Sequence, residues 1–259
     1  MLSGLLSDGV EEVHAFEPHP QNVAALREQF GGDRRVVIHD CGVSDFDGHG
    51  DLHLSQSPSG SELPFGHTLL ARADTDQVAW SGTLKIPLRR LGSLVDAGLI
   101  PRRVGLLKID TEGHDLAVVR GMGDLEPDLI MLEHWSELPH GLGRCPWTID
   151  ELTAELGPRG FRHFAFILHC AEYVTLKWDD GDVEAGAMGN LLFLSDDVLP
   201  HVFTDLLHCA SVLTEEAIAS AQIQAHAASE RLQVIEGLKK AANERLALIE
   251  ELTELARPG

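Results

Sequence analysis

The chain has 259 residues, 44% of them hydrophobic and 24% charged, a composition that allows one sizeable core and argues against general disorder. Its 41 acidic residues face only 20 basic ones, and the net charge of −21 disfavours nucleic acid as a partner, because a phosphate backbone would be repelled. No apolar run reaches the ~18–20 residues of a membrane span. Four cysteines without a Cys-x-x-Cys pair predict reduced thiols in a cytoplasmic protein.

From residue 13 onward, short apolar stretches alternate with turns and helix-like segments. The predicted strands are Val13–Phe16, Val36–Ile38, Asp51–Leu54, Thr83–Leu88, Val104–Asp110, Asp128–Glu133, Phe161–Leu168 and Asn190–Leu194. The predicted helices are Pro20–Phe30, Leu91–Ala97, Glu112–Met122 and Thr148–Leu156. Strands that alternate with helices in this way imply an α/β domain over residues 1–212, with a mainly parallel sheet covered on both faces.

Residues 213–259 differ in composition from the rest of the chain. Ala, Glu, Leu, Gln and Lys dominate, and only Gly237 interrupts them before Pro258, which favours a long C-terminal α-helix. Some of the apolar residues follow a heptad pattern, but Arg245 breaks it, so a coiled coil is only one interpretation. We expect this extension either to dock on the domain or to join copies of the chain into a homo-oligomer.

Acidic residues follow the ends of several predicted strands. They are Glu17, Asp40 with Cys41 after it, Asp110 with Glu112, and Glu133 with His134 and Trp135 after it. Ligands of open α/β sheets bind beyond the carboxyl ends of the strands, so these residues form the candidate site. Glu17 is the strongest candidate, because an acid that closes the second strand of a nucleotide-binding half commonly binds ribose hydroxyls. Pro18 and Pro20 would hold it rigidly, whereas the competing interpretation is a solvated acid at a strand end.

Asp110, Glu112 and His134 are the candidate catalytic residues. A transfer to a hydroxyl needs a proton acceptor near the nucleophile, and each of these side chains can take a proton. Glu112 also has a simpler interpretation, as an acid favoured by the dipole of a first helical turn, and one histidine among 14 carries little information. With Glu133 added, the set could be an oxygen-rich metal site, but no fixed ligand spacing supports one and we predict none.

Three blocks of sequence carry a family resemblance. They are Val13–Asn22 with Leu26, His39–Asp45 with Gly48, and Leu107–Asp115 with Arg120–Gly121. Their order and spacing resemble the FkbM family of S-adenosylmethionine-dependent methyltransferases over about residues 2–194. The resemblance implies a Rossmann-like sheet of seven strands and O-methylation of a hydroxyl on a sugar, another glycan or a secondary metabolite. It also implies that Glu17 binds the ribose, that Asp40, Cys41 and Gly42 lie near the adenine, and that the Asp110–Gly113 turn lies beside the transferred methyl group.

The sequence departs from the family pattern at its beginning. Family members have a strand and a glycine-rich Asp-x-Gly-Ala-Asn-x-Gly loop about one helix before the block at Val13, and here only residues 1–8 precede that strand. We therefore expect the first, central strand of the sheet to be missing, with two strand edges left unpaired. Such a chain should bind S-adenosylmethionine weakly or not at all, because glycines of that loop allow close contact with the cofactor.

Two other functions fit parts of the pattern. A nicotinamide-dependent oxidoreductase would also use an acid at the position of Glu17, but the confirming Gly-x-Gly-x-x-Gly loop is absent. A non-catalytic module could use the same fold and assemble through residues 213–259. The acceptor would contact the segments Ser57–Asp76 and Ser136–Trp147, and their acidic surroundings favour a neutral or cationic acceptor.

Overall fold

The computed structural model describes residues 2–7, 9–57, 59–61, 63, 66–72, 78–136, 145–169, 174–179 and 188–199. The strands are β1 (Val13–Phe16), β2 (Val36–His39), β3 (Gly42–Val43), β4 (Gly48–Gln56), β5 (Ala79–Arg89), β6 (Arg103–Ile109), β7 (Glu126–Trp135), β8 (His163–His169), β9 (Val174–Trp178) and β10 (Met188–Leu194). The helices are α1 (Leu2–Ser7), α2 (Pro20–Phe30), α3 (Leu91–Asp96), α4 (Asp115–Arg120) and α5 (Ile149–Leu156). The predicted extension 213–259 and most of the segment 136–147 lie outside the described residues.

The described strands form three sheets rather than one. Strands β1 and β2 pair in parallel, β3, β5 and β4 form a second sheet in that order, and the third has the order β6-β7-β10-β8-β9. Only β6 and β7 are parallel in the third sheet, while its other pairs are antiparallel. The expectation of a mainly parallel sheet was wrong here. Four residues separate β8 from β9, too few for the crossover that a parallel pair needs.

The two strands that precede the strongest candidate residues each keep one unpaired edge within the described part of the chain. Strand β1, which leads to Glu17, pairs only with β2, and strand β6, which leads to Asp110, pairs only with β7. Strands β1 and β6, whose carboxyl ends carry Glu17 and Asp110, therefore belong to different sheets and share no backbone hydrogen bonds.

The main core lies between the five-stranded sheet and helices α3, α4 and α5. Its fully buried side chains include Val119, Ile130, Leu132, Leu152, Leu156, Phe166, Leu191 and Phe193. Burial of each such side chain contributes roughly 1.5–3 kcal/mol. The predicted cap of α5 is confirmed, because the Thr148 side chain accepts from the backbone N–H of Glu151 and the Glu151 carboxylate accepts from that of Thr148.

Helix α4 begins three residues later than the sequence predicts. Glu112 has a φ of 54° and Gly113 a φ of 97°, and this left-handed backbone cannot belong to an α-helix. The helix therefore starts at Asp115, after a tight turn. Glu112 does not lie in a first helical turn, so the helix dipole does not account for it.

Ser44 holds both ends of α4. Its hydroxyl lies 3.0 Å from Nε2 of His114, the residue before the helix. At the other end, a Cβ on Gly121 would lie 2.0 Å from the Ser44 carbonyl oxygen, so only glycine allows this approach. The fully buried Ser44 thus fixes the helix that follows the candidate site. None of the described helices is long and apolar enough to cross a membrane.

We predict that Gly121→Ala lowers the free energy of unfolding by about 1–3 kcal/mol or more, because the added methyl group would overlap backbone atoms of Ser44, which cannot change rotamer as a side chain can. Urea denaturation measures the change. Gly105→Ala is the matched control, since Gly105 lies in β6 and an added methyl group there would have no other atom within 4 Å, and it should be neutral or stabilising. Equal effects of the two substitutions would contradict the close packing of α4 on Ser44.

Candidate functional site

The parallel register of β6 and β7 brings two of the strand-end acids together. Lys108 is opposite Met131 and Ile109 is opposite Leu132, so Asp110 and Glu133 follow in the next row. Residues in one row point to the same face of a sheet, and Asn190 of β10 is opposite Glu133 on its other side. Asp110 and Glu133 therefore lie on the same face, at the carboxyl ends of neighbouring strands.

Four acidic residues form a carboxylate cluster at this edge: Asp110, Glu112, Asp115 and Glu133. The pKa of Glu133 is raised to about 7, first by burial and then by the charges of Asp110 and Glu112. The pKa of Glu112 is also raised, mainly by burial and then by Asp110. The charges of Asp110 and Glu112 thus make Glu133 more basic, which suits a group that takes up and releases a proton near neutral pH.

Asp115 is the most deeply buried member of the carboxylate cluster, with 1% of its surface exposed. Its Oδ2 atom accepts a hydrogen bond from the backbone N–H of Gly113 at 3.1 Å, which ties the side chain to the turn before α4. Burial is the main reason that the pKa of Asp115 rises to about 6. The buried Asp115 therefore does not contact a ligand, but its negative charge contributes to the raised pKa of Glu112 and Glu133.

Two cations partly offset the repulsion among these acids. Lys108 forms an ion pair with Asp110, and its charge opposes the rise in the pKa of both Glu112 and Glu133. Arg72 likewise opposes the rise for Glu112. Sequence reasoning did not assign a role to either cation. Lys108 stands within the Leu-Lys-Ile-Asp block, but Arg72 lies in a loop with no recognisable pattern.

Contacts from that loop hold the turn in its left-handed conformation. The carbonyl oxygen of Glu112 accepts hydrogen bonds from Thr68 Oγ1 at 3.0 Å and from Arg72 Nη2 at 2.8 Å. The Arg72 guanidinium also lies 5.4 Å from the centre of the Trp135 ring, a cation–π distance. Because Glu112 has an unfavourable φ, these contacts fix where its carboxylate projects.

His134 lies on the opposite face of β7 from Glu133, as alternation along a strand requires. Its ring packs against Trp147 and Phe166, with centroid separations of 4.9 and 5.9 Å, and 8% of its surface is exposed. Burial lowers the pKa of His134 to about 4, so the imidazole is neutral at pH 7. The structure brings Asp110, Glu112 and Glu133 together but places His134 in the core.

Glu17 stands at the end of β1 in an oriented, half-buried position. Its Oε1 atom accepts a hydrogen bond from the backbone N–H of His19 at 2.8 Å, so the chain just before α2 fixes the carboxylate. A carboxylate held in this way can still accept hydrogen bonds from a diol. The geometry fits the predicted role of Glu17 without testing it.

The three residues after β2 offer less free polar surface than the sequence suggests. Both oxygens of Asp40 accept from Arg27 Nη2, at 2.7 and 2.6 Å. Cys41 is buried, and burial raises the pKa of its thiol. Gly42 is enclosed, since a Cβ there would lie 2.8 Å from a methyl group of Leu88. Of these three residues only Asp40 is exposed, and its carboxylate is paired with Arg27.

The described residues contain no group of three or more histidine, cysteine or acidic side chains arranged to hold a metal ion. Within the carboxylate cluster, the negative charge is offset by Lys108 and Arg72, and the pKa of Glu133, raised to about 7, allows partial protonation of that carboxyl.

We predict that Glu133→Gln stabilises the protein at pH 8 and leaves its stability unchanged at pH 4. A carboxyl whose folded-state pKa is raised to about 7 disfavours folding once it ionises, so its cost grows as pH rises from ~4.5 to ~7. Urea midpoints at the two pH values measure this. Glu126→Gln, at the exposed other end of β7 beside Arg102, should not be stabilising. A Glu133→Gln protein that is no more stable than wild type at pH 8 would show that this carboxylate is not buried among like charges.

The chain is similar in sequence to known methyltransferases. Residues 3–138 match the family model described as the methyltransferase FkbM domain. Hexuronic acid methyltransferase AglP of Haloferax volcanii is 29% identical over 110 residues, which cover 42% of this chain and 41% of that protein. The crystal structure of methyltransferase FkbM from Methylobacillus flagellatus KT is similar with a TM-score of 0.39 and 16% identity, covering 74% of this chain and 40% of that one.

The chain thus spans about two fifths of the length of each of these two proteins. The family match is the stronger finding, because it covers more than half of the chain and includes Glu17, the Asp40–Gly42 segment, the Asp110–Gly113 turn and Glu133. The chain belongs to the FkbM family of methyltransferase domains.

Proposed function

We propose that this chain transfers a methyl group from S-adenosylmethionine to a hydroxyl of a sugar or a related small molecule. The observation that carries the proposal is the carboxylate cluster, which lies at the carboxyl ends of β6 and β7 in a chain of the FkbM family. A nicotinamide-dependent oxidoreductase has no comparable support, since the family match favours methyl transfer over hydride transfer. The name of the Haloferax relative, a hexuronic acid methyltransferase, supports a sugar as the acceptor.

The residues present fit the chemistry of the donor. S-adenosylmethionine supplies a methyl group on a positively charged sulfur, and a site rich in carboxylates favours a cation. Glu17 fits the ribose, because the His19 N–H fixes one carboxylate oxygen and a diol can donate to the carboxylate. For the adenine we propose the Asp40–Gly42 segment, in which Asp40 is exposed and paired with Arg27 while Cys41 and Gly42 are buried.

Asp110 and Glu112 are proposed to act on the acceptor side of the site. Asp110 is exposed and paired with Lys108, so it can accept a hydrogen bond from a hydroxyl and orient it. Glu112 projects from a turn that Thr68 and Arg72 hold rigidly, and rigid placement of reacting groups is a large part of catalysis. His134 has the weaker case as a proton acceptor, since it is buried among aromatic rings on the other face of β7.

We predict a neutral or cationic acceptor rather than an anionic one. The carboxylate cluster disfavours an anionic acceptor by repulsion, whereas the guanidinium of Arg72 beside Glu112 and Trp135 could bind one. A neutral sugar and its uronic acid, compared at equal concentration, distinguish these outcomes.

We predict that Glu17→Gln weakens binding of S-adenosylmethionine about 10–100-fold, because hydrogen bonds to a charged group contribute ~1.5–3 kcal/mol. Calorimetry measures the affinity of the full chain, with donor concentrations up to millimolar because the sequence predicts weak binding. Glu28→Gln is the matched control, since Glu28 is exposed on α2 and away from the strand end, and it should bind as the wild type does. Failure of the wild-type chain to bind the donor at these concentrations would contradict the proposed function for this chain.

A further inference from the structure

The acids of the carboxylate cluster are not equally suited to take a proton from a hydroxyl. Asp115 is 1% exposed and cannot reach a ligand, and Asp110 is already paired with Lys108. Thr68 and Arg72 bind the backbone carbonyl of Glu112. The positive charge of Arg72 favours the ionised form of the Glu112 carboxylate, which makes Glu112 a weaker base. Glu133 has no hydrogen bond or ion pair among the described residues that would compete for its carboxylate.

Trp135 supplies a second observation at the same place. It lies two residues after Glu133, so both side chains point to the same face of β7. Only 4% of Trp135 is exposed, and its indole Nε1 atom has no hydrogen-bond partner in the described part of the chain. A buried donor without a partner costs roughly 1–3 kcal/mol, and an oxygen atom of a bound ligand would satisfy it once the side chains that cover the indole N–H move aside on binding.

We propose that the side chains of Glu133 and Trp135 form the acceptor subsite, in which Glu133 takes the proton of the reacting hydroxyl and the indole N–H of Trp135 binds an oxygen of the same acceptor. This inference rests on the proposed function. The ligand class that it names is a polyol or sugar, because such a molecule offers a hydroxyl that can lose a proton next to an oxygen that accepts a hydrogen bond.

The chemistry balances with the groups at hand. The acceptor oxygen forms a bond to the methyl carbon, the bond from that carbon to the donor sulfur breaks with its electron pair left on sulfur, and the hydroxyl proton passes to a Glu133 carboxylate oxygen. Asp110 and Glu112 assist from nearby, because their charges make Glu133 more basic. A base whose pKa lies near the working pH is the most effective proton acceptor.

A first experiment needs no acceptor and tests whether Glu133 lies beside the donor. A cationic sulfur near Glu133 should lower the pKa of that carboxyl, so binding of S-adenosylmethionine to the full chain at pH 7 should release up to about half a proton. Calorimetry in two buffers of different ionisation enthalpy measures the release. S-adenosylhomocysteine, which lacks the charge, should release less, and Glu133→Gln should abolish the difference. Glu126→Gln, at the other end of β7, should behave as wild type.

Two results of that experiment overturn the proposal. If the donor binds without a difference in proton release between the two ligands, Glu133 is not beside the sulfur and the acceptor subsite is wrong, although the proposed function stands. If neither ligand binds, the proposed function fails as well. The two failures are therefore distinguishable.

A second experiment tests the proton transfer itself, with methyl β-glucoside and methyl β-glucuronide as probes and methyl-labelled donor. The proposal expects an ether product that survives mild alkali and a kcat that rises with pH through an inflection below 7, because the bound donor lowers the pKa of Glu133. Glu133→Gln should lower kcat about 10²–10⁴-fold and remove the inflection, with a much smaller loss of donor affinity and partial recovery in Glu133→Asp. Trp135→Phe should raise the acceptor KM several-fold and leave the pH profile intact.

Three outcomes of the second experiment contradict the subsite. A Glu133→Gln protein with unchanged kcat and pH profile would remove its role as proton acceptor. An alkali-labile ester formed only on the glucuronide would show that the acceptor is a carboxylate, which has no proton to lose. Transfer to neither probe would exclude hexose-type acceptors and with them the sugar class named above.

Discussion

The parallel register between β6 and β7 is the constraint on which the candidate site depends. It places Asp110 and Glu133 in the same row at the carboxyl ends of the two strands, with the turn to α4 directly beyond. Ser44 contacts both ends of α4, and Thr68 and Arg72 donate hydrogen bonds to the turn before the helix. A shift of one residue in that register would send Glu133 to the core face, where His134 lies now.

Repulsion within the carboxylate cluster at the ends of β6 and β7 lowers the stability of the fold, and two cations reduce that repulsion. Lys108 pairs with Asp110, and Arg72 joins the turn, the Glu112 carbonyl and the Trp135 ring. The remaining repulsion is reflected in raised pKa values for Glu112, Asp115 and Glu133. The same arrangement that lowers stability above neutral pH provides carboxylates basic enough to accept a proton.

Local sequence patterns predicted the elements whose causes are local. Pro20 opens α2 and the Thr148–Glu151 capping box opens α5 as expected, because fixed backbone angles and side-chain caps act over a few residues. The strand ends before Glu17 and Asp110 were also predicted, because each follows a short apolar stretch of sequence. The antiparallel order of β8, β9 and β10 was missed, since strand direction depends on partners distant in sequence.

The parts of the site that sequence could not predict depend on contacts between distant segments. Arg72 reaches Glu112 across 40 positions, and no pattern in the loop around it signals that contact. His134 is removed from the site by Trp147 and Phe166, although its position after a strand end made it a reasonable candidate. Glu133 was recognised only as a strand-end acid, because its high pKa arises from burial and from neighbours on another strand.

The most direct test of the account is a crystal structure of the chain with S-adenosylhomocysteine bound. We expect the ribose hydroxyls within about 3 Å of the Glu17 carboxylate, and the sulfur on the side of the Asp110–Gly113 turn that faces Glu133. A ligand bound elsewhere, or one whose sulfur points away from the carboxylate cluster, would contradict the account.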